Sequence, residues 1–202
     1  MGDSIEHKLW ARTRQAVHAE VARTAMELFL ERGFEATTID DIAAAAGISR
    51  RSFFRYFGTK EDLVLGDLAA HGERIRELLQ ARPDSEDAWT ALLNALLNAP
   101  RLGRDQATML KISKMLYGTP SLRARSIEKH LHWQALLTPE IRRRLGAAPG
   151  DGQDLRADAI VACVLACLDV AGEAWTRSEG AEPLEELVMA AITAVRQSTP
   201  GT

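Results

Sequence analysis

Apolar residues recur along the chain at intervals of three and four, the spacing that places side chains on one face of an α-helix. The first amphipathic helix is predicted at about 14–32, and Gly33 ends it. Its apolar stripe consists of Val17, Val21, Ala25, Leu28 and Phe29. Alternating strand patterns do not occur in the sequence, so the pattern predicts an all-α protein.

Two short helices follow the first. Thr38 stands where an N-cap is expected, with Asp41 three residues later in capping-box position, and this helix ends near Gly47. Ser49 is the predicted N-cap of the next helix, which stops at Gly58. Three helices with a tight turn between the last two form the outline of a helix-turn-helix.

This outline predicts an N-terminal domain at 1–60, with its core at 14–60. Thr59 is predicted to cap a fourth helix, with Asp62 three residues on, that continues to about Gln80. The remaining residues, 61–202, are predicted to form a C-terminal helical domain.

The C-terminal helices are longer and more apolar. The segment from Trp89 to Leu97 carries an apolar stripe that Pro100 closes, and Pro139 either kinks or ends a later helix. Further helices are predicted at about 104–117, 121–137, 154–179 and 182–197. The helix at 154–179 is apolar nearly all round, which indicates burial on more than one side. A stripe on the last helix could be hidden within a single chain or in a dimer.

The stretch "ISRRSFFRYFGTK", residues 48–60, concentrates charge and rings. It holds four of the eleven aromatic residues and four basic residues, with no acidic one. On a helix that starts after Ser49, Phe53 and Phe57 share a face and are predicted to fill the small helical core. The basic residues point elsewhere.

Two interpretations of these charges compete: a solvated basic surface, or a helix that contacts a polyanion. Their place on the second helix of a helix-turn-helix favours DNA. Arg50, Arg51 and Ser52 are at the helix N-terminus, where arginine can bind guanine edges in the major groove. Tyr56 and Lys60 can reach phosphates, while Arg55 either touches phosphate or stays in water.

Composition narrows the alternatives. The chain of 202 residues is 46% hydrophobic with a net charge of −3, and residues 1–60 hold nine basic against eight acidic residues, so the positive charge is local. No apolar run is long enough for a membrane span or a signal peptide, so a cytoplasmic protein is expected. Cys163 and Cys167 are interpreted as buried apolar residues rather than a redox or metal pair.

An enzyme and a purely structural helical module are the rival hypotheses. Nucleotide-binding glycine motifs, HExxH and Gly-x-Ser-x-Gly are all missing from the sequence, and Asp40 and Asp41 are typical helix-start acids. No catalytic residue, metal site or cofactor is therefore predicted. A structural module would leave the basic residues of 48–60 unexplained.

The stretch "TTIDDIAAAAGISRRSFFRYFGTKEDLV", residues 37–64, resembles the DNA-binding signature of the TetR family of bacterial transcriptional regulators. The resemblance implies an N-terminal helix-turn-helix domain and a C-terminal domain for ligand binding and dimerisation. It also implies that Arg50, Arg51 and Ser52 contact bases. Thr38, Phe54, Tyr56 and Lys60 would lie at the phosphate backbone.

The resemblance further implies a homodimer through the helices at about 154–179 and 182–197, which would read a palindromic operator. A small-molecule effector, hydrophobic or similar to acyl-CoA, would release the DNA by favouring another conformer. Repression is the expected outcome, although the residues do not distinguish it from activation.

Soft and aromatic residues in the middle helices are candidates for lining the effector cavity, with ordinary core packing as the alternative. The candidates are Trp89, Met109, Met115, Tyr117, His130, Trp133, Cys163 and Cys167. His130 is expected to serve as a polar group rather than as a metal ligand.

Overall fold

The computed structural model describes residues 3–66, 68–99, 105–146 and 155–197, with side chains described from residue 16 onward except at 68, 69 and 197. These residues form helices and no β-strand, which confirms the all-α prediction. The helices are α1 (Asp3–Arg32), α2 (Ile39–Ala45), α3 (Arg50–Tyr56), α4 (Glu61–Leu65), α5 (Leu68–Gln80), α6 (Ala88–Leu97), α7 (Gln106–Gly118), α8 (Pro120–Arg144), α9 (Leu155–Arg177) and α10 (Leu184–Gln197).

The first four helices, here called the head, pack around one apolar cluster. Phe29, Ile42 and Phe53 are at its centre, and Leu122 of α8 joins it from outside the head. Between α1 and α2, the buried hydroxyl of Thr37 donates a hydrogen bond to the Gly33 carbonyl at 2.8 Å. The three predicted helices of the helix-turn-helix thus form a packed unit.

The first helix is longer than predicted, because it begins at Asp3 rather than near residue 14. The prediction relied on the apolar stripe, which starts only at Val17. The preceding segment is rich in good helix formers such as Glu, Lys, Leu, Ala and Arg, so intrinsic propensity favours helix there without a stripe.

The prediction of one fourth helix from Thr59 to Gln80 is wrong. The predicted pairing of Thr59 with Asp62 is present, since Thr59 N donates to Asp62 Oδ2 at 2.9 Å and Asp62 N donates to Thr59 Oγ1 at 3.3 Å, although the residue directly before the helix is Lys60. The helix ends after Leu65, however, at Gly66, whose φ of +73° lies in the left-handed region that glycine adopts without steric cost. A second helix, α5, follows, and Leu63 and Val64 belong to the head cluster.

The helices α5 to α10 are here called the body. A second and larger apolar cluster is formed by α5, α6, α8, α9 and α10, whereas α7 packs against the head cluster. Leu79, Leu92, Leu137 and Val164 are fully buried in this second cluster. The helix α9 contributes buried side chains all along its length, as its nearly uniform apolarity indicated, and α10 packs on it through Val188 and Ile192.

The helix α8 passes through Pro139 and ends seven residues later than predicted, at Arg144 instead of 137. Leu137 and Ile141, on either side of the proline, are fully buried, so packing holds the last turns in place despite the lost backbone donor. The guanidinium of Arg144 donates to the carbonyls of Leu79 and Arg82 at 2.7 and 2.8 Å, which caps the end of α5.

Candidate DNA-binding surface and ligand cavity

Two buried phenylalanines anchor α3 to the head cluster, and a serine caps its N-terminus. Phe53 and Phe57 are buried, with ring centroids 5.4 Å apart, as the sequence predicted. The hydroxyl of Ser49 accepts the Ser52 N–H at 3.1 Å and donates to Ser52 Oγ at 3.0 Å. The helix therefore stands on the head with its opposite face outward.

Three side chains project from that outward face. Phe54 is 48% exposed and rests edge-on against Phe53, with centroids 5.6 Å apart. Arg51 is exposed, and so is Arg55, whose guanidinium lies 5.1 Å from the centroid of the Tyr56 ring. Neither of these two arginines forms an ion pair with any described residue. Both guanidinium groups are thus available to an external anion.

Arg50 is partly committed within the protein. Its Nη1 pairs with Asp40 of α2 at 2.8 Å, and its guanidinium carbon is 5.8 Å from the Phe54 ring centroid. Both partners of this ion pair are well exposed, so the pair is weak and Arg50 can exchange it for DNA. The contact orients Arg50 toward the outward side of α2 and α3.

Thr38 and Asp41 form the predicted capping box at the start of α2. The Thr38 hydroxyl accepts the Asp41 N–H at 3.1 Å, and the Thr38 N–H donates to Asp41 Oδ2 at 2.9 Å. The hydroxyl and the backbone N–H of Thr38 together lower the pKa of Asp41. Thr38 is exposed, so a phosphate contact there would compete with its role as a cap.

Lys60 has a structural role that the sequence did not reveal. Its ammonium donates to the carbonyls of Phe34 and Thr37 at 2.7 and 3.1 Å and lies 4.2 Å from the centroid of the Phe34 ring. Lys60 thereby ties the start of α4 to the loop between α1 and α2. A lysine has three N–H donors, so one remains for the predicted phosphate contact.

A cavity of about 200 Å³ lies in the body between α7, α8 and α9. Three of the eight predicted lining residues, Met109, Tyr117 and His130, face it. The rest of the lining was not predicted and comprises Ile112, Ser113, Leu116, Ser126, Lys129, Leu168, Asp169, Gly172, Trp175 and Leu184. The lining is therefore mostly apolar, and the polar side chains Tyr117, Lys129, His130 and Asp169 also belong to it.

The five other candidates lie elsewhere. Met115 packs on the head cluster, while Trp133 and Cys167 are buried in the body cluster. Trp89 packs against the body cluster with Arg196 over its ring, at 5.8 Å from the centroid, and Cys163 is half-buried beside Cys167 on α9. Helical spacing identifies the side chains that turn inward but not the places where packing leaves a gap.

Three polar side chains that line the cavity have shifted pKa values. Burial lowers the pKa of Lys129 to about 8, and burial, followed by the charge of Lys129, lowers that of His130 to about 4. Burial and then the neighbouring Asp169 carboxylate raise the pKa of Tyr117, whose hydroxyl donates to the Asp169 carbonyl at 3.0 Å. At neutral pH, His130 is therefore neutral and Lys129 is mostly charged.

Tyr117 fits into a gap that glycine provides. A Cβ at Gly172 would collide with the Tyr117 hydroxyl, so only glycine at this position of α9 lets the ring approach the helix backbone. Glycine is unfavourable within a long helix, so its presence in the predicted helix 154–179 was a sequence signal that could have indicated this close approach.

A second cleft, of about 430 Å³, separates the head from α8. Across it, Arg125 of α8 donates to Asp62 Oδ1 of α4 through Nε and Nη2 at 3.2 and 3.0 Å. Lys129 lines this cleft as well as the body cavity. The same helix face thus borders the head on one side and the cavity on the other.

Exposed apolar side chains lie on α9 and α10, the helices predicted to form a dimer. Val170 is 58% exposed and Met189 is 48% exposed, and Val195 is also exposed. Within the described residues, no group of three His, Cys, Asp or Glu side chains could hold a metal ion. None of the helices described is both long and apolar enough to cross a bilayer.

Comparisons with known proteins agree with this arrangement. The family model of the bacterial regulatory proteins, tetR family, matches residues 22–66, and that of the MftR C-terminal domain matches residues 86–200. The chain is 30% identical over 178 residues to the transcriptional regulator MftR of Mycobacterium tuberculosis, covering 87% of this chain and 88% of that protein.

A second relative is the HTH-type transcriptional regulator TcmR of Streptomyces glaucescens, 30% identical over 181 residues, or 86% of this chain and 77% of TcmR. Among solved structures, the repressor FadR of Thermus thermophilus, in complex with lauroyl-CoA, shares the fold with a TM-score of 0.58 at 24% identity. That match covers 92% of this chain and 96% of FadR. These matches agree with the helix-turn-helix and the helical body of the structure. They show that the chain belongs to the TetR family of transcriptional regulators, which are DNA-binding proteins and not enzymes.

Proposed function

We propose that the protein is a repressor that binds a palindromic operator as a homodimer and is released by a small-molecule effector. The outward face of α3 carries this proposal. Arg51 and Arg55, which form no ion pair with the side chains that the structure describes, flank the exposed Phe54 on a short helix that buried rings hold in place. This is the geometry needed to present side chains to base edges in a major groove.

The residues divide into two roles on this proposal. Arg50, Arg51 and Ser52 contact bases from the N-terminal turn of α3. Thr38, Phe54, Arg55, Tyr56 and Lys60 lie at the phosphate backbone. Arg50 and Lys60 also hold Asp40 and two backbone carbonyls, respectively, so their loss has consequences beyond DNA contact.

Exposed apolar residues on α9 and α10 support the dimer. Val170 on α9 and Met189 and Val195 on α10 are exposed in the single chain, and a second copy related by a twofold axis would cover apolar surface of these two helices. Two heads then read two half-sites about one helical turn of DNA, roughly 34 Å, apart. A single head would bind only weakly.

The body cavity supports an effector. Its mostly apolar wall suits a hydrophobic molecule, and the structurally similar FadR is in complex with lauroyl-CoA. We therefore propose an effector that is hydrophobic or resembles acyl-CoA. It releases the operator if it binds better to a conformer whose heads are wrongly spaced, because only a difference in affinity shifts the equilibrium.

Fluorescence anisotropy with duplexes covering the DNA that flanks the gene tests DNA binding. Replacing Arg51 with Ala is expected to cost about 1–3 kcal/mol on the specific duplex, because one bidentate base contact is lost. The matched control is Arg74→Ala, which removes an exposed arginine of α5 whose ion pair, among the residues that the structure describes, is with its helix neighbour Glu77. Affinity should also fall steeply with salt as bound cations are released.

Equal losses for Arg51→Ala and Arg74→Ala, or none for either, would show that α3 is not the recognition helix.

Sedimentation tests the dimer separately. The double variant Val170→Glu, Met189→Glu is expected to be monomeric, whereas Ile127→Glu, on the exposed side of α8, should stay dimeric. A wild-type chain that is a monomer at micromolar concentration rules the dimer out.

A further inference from the structure

We propose that the body cavity binds an organic anion with an apolar body, and that Lys129 holds its anionic group. This deepens the proposed function, because it rests on the cavity being the effector site and names the chemical class of the effector. The alternatives are a neutral apolar molecule and an organic cation.

Lys129 is placed as a receptor for an anion. Its ammonium lies 4.7 Å from the centroid of the buried Trp133 ring, which supports it from one side. In the part of the chain that the structure describes, no carbonyl or carboxylate oxygen accepts a hydrogen bond from this ammonium. Three strong N–H donors therefore border the cavity without a protein acceptor.

The acidic residue of the cavity does not supply that acceptor. Asp169 accepts from the Tyr117 hydroxyl at 3.3 Å and lies 3.7 Å from Arg123, so its carboxylate is directed to those two groups. Arg123 also pairs with Glu173 at 3.3 Å. The Asp169 carboxylate also acts electrostatically on Lys129, but its hydrogen bond and ion pair are with Tyr117 and Arg123, which an organic cation would have to displace.

Arg123 lies near the cavity, over the Tyr117 ring, but it is paired with Asp169 and Glu173. Among the described side chains that line the cavity, Lys129 alone is positively charged at neutral pH, because His130 is neutral there. The neutral imidazole of His130 can still donate one hydrogen bond to the same anion. The anion is thus expected to be fixed near the α8 wall.

The remaining wall determines the body of the ligand. Met109, Leu116, Leu168, Trp175 and Leu184 surround the cavity with aliphatic and aromatic surface. An alkyl or aryl group is favoured there by removal of apolar area from water. A carboxylate attached to such a group is complementary both to Lys129 and to the apolar lining.

The position of Lys129 also explains how such a ligand would reach the head. Lys129 lines the cleft between head and α8 and lies four residues, about one turn, after Arg125, which binds Asp62 of α4. A ligand that binds the Lys129 ammonium therefore contacts α8 one turn away from the ion pair that joins the body to the head.

Isothermal titration calorimetry without DNA tests the ligand class directly. The probes are octanoate, octanol and octylamine, which share one chain length and differ in the charge of the head group. At pH 7 the wild-type protein is expected to bind octanoate about tenfold more tightly than octanol, as one charge-assisted hydrogen bond provides. Octylamine, a cation at this pH, should bind most weakly.

The variant Lys129→Met keeps an unbranched apolar side chain, one atom shorter, but removes the charge. It is expected to lose the preference for octanoate and to bind octanol as well as the wild type does. Lys129→Arg should restore the preference. The matched control Lys111→Met removes an exposed lysine of the neighbouring α7 and should change nothing.

Equal affinities for the three probes, a preference for octylamine, or an unchanged preference in Lys129→Met each overturns the inference. Octanoate that does not bind at all overturns it too. Circular dichroism and DNA binding of the same variants check the fold. A wild type that binds the operator but does not prefer octanoate refutes this inference alone, whereas a wild type that binds no DNA refutes the proposed function.

Discussion

The head and the body differ in how their sites are built. The outward surface of α3 comes from seven consecutive residues, Arg50–Tyr56, and its central side chains Arg51 and Phe54 point into solvent. The cavity wall comes from three main helices and spans Met109 to Leu184, and two of its polar members, Tyr117 and Asp169, bind each other. The first site follows from local helix geometry, whereas the second exists only where distant helices fail to fill space.

In the head, different side chains stabilise the fold and face the solvent for binding, whereas in the body the same side chains do both. In α3, Phe53 supports and the adjacent Phe54 projects, so one residue step changes the role. In the cavity, Tyr117 both packs against Gly172 and holds Asp169. Substitutions should therefore have separable effects in the head and combined effects in the body.

The largest expected effect comes from the support of α3. Phe53→Ala should lower the free energy of unfolding of the head by about 3–5 kcal/mol, because it leaves a cavity in the head cluster, and operator binding should disappear. Thermal denaturation followed by circular dichroism measures the stability. Octanoate binding to the body should remain.

Phe54→Ala is the matched control for that substitution. Because Phe54 is largely exposed, the midpoint of denaturation should barely change, while DNA binding weakens. If both alanine variants unfold alike, or if Phe53→Ala also abolishes octanoate binding, head and body are not separable in the way their two clusters indicate.

Lys60→Met tests whether one residue can belong to both support and contact. Removing the ammonium leaves the Phe34 and Thr37 carbonyls without a donor, which should destabilise the head by about 1–3 kcal/mol. It should also weaken binding to specific and unspecific duplexes alike, since a phosphate contact carries no sequence information. A loss of DNA affinity at unchanged stability would mean that the two carbonyl contacts contribute nothing.

A change of pH should affect the body and leave the arginines of the head unchanged. Burial lowers the pKa of Lys129 to about 8, so its charge is present below that pH and lost above it. Octanoate stays ionised throughout. Its affinity should therefore be nearly complete at pH 7 and fall as pH rises through 8, by about fivefold at pH 9, where about a tenth of the lysine is still charged. Calorimetry at both pH values measures this, and a flat profile in Lys129→Met is the control.

The smallest expected effect concerns the link between the two regions. Asp62→Asn keeps the shape of the side chain but removes the charge that Arg125 binds, and the partly exposed pair contributes less than about 1 kcal/mol to stability. Affinities for operator alone and octanoate alone should be unchanged. The effect of octanoate on operator binding should shrink, and an undiminished effect would assign the coupling to other contacts.

The sequence predicted the head more completely than the body, for physical reasons. The caps at Thr38, Ser49 and Thr59 and the inward turn of Phe53 and Phe57 depend on neighbours within four residues. These signals are local and could be recognised in the sequence.

The cavity depends on gaps between helices, and no periodicity records a gap. Lys129 interrupts an otherwise ordinary helix face, so nothing local distinguished it from a solvated lysine. The break at Gly66 was missed because glycine also occurs within helices, and only the positive φ reveals its role. The carbonyl contacts of Lys60 join residues 23 and 26 positions apart, beyond the reach of local patterns.

The break at Gly66 determines how adjustable communication between head and body can be. A continuous helix from Glu61 to Gln80 would carry any rotation through its backbone, and weakening that path would require disrupting the helix. With the break, α4 is joined to α8 through side chains, namely the burial of Leu122 among head residues and the pair of Arg125 with Asp62. Single substitutions at these positions can tune the response to an effector during evolution while every helix stays intact.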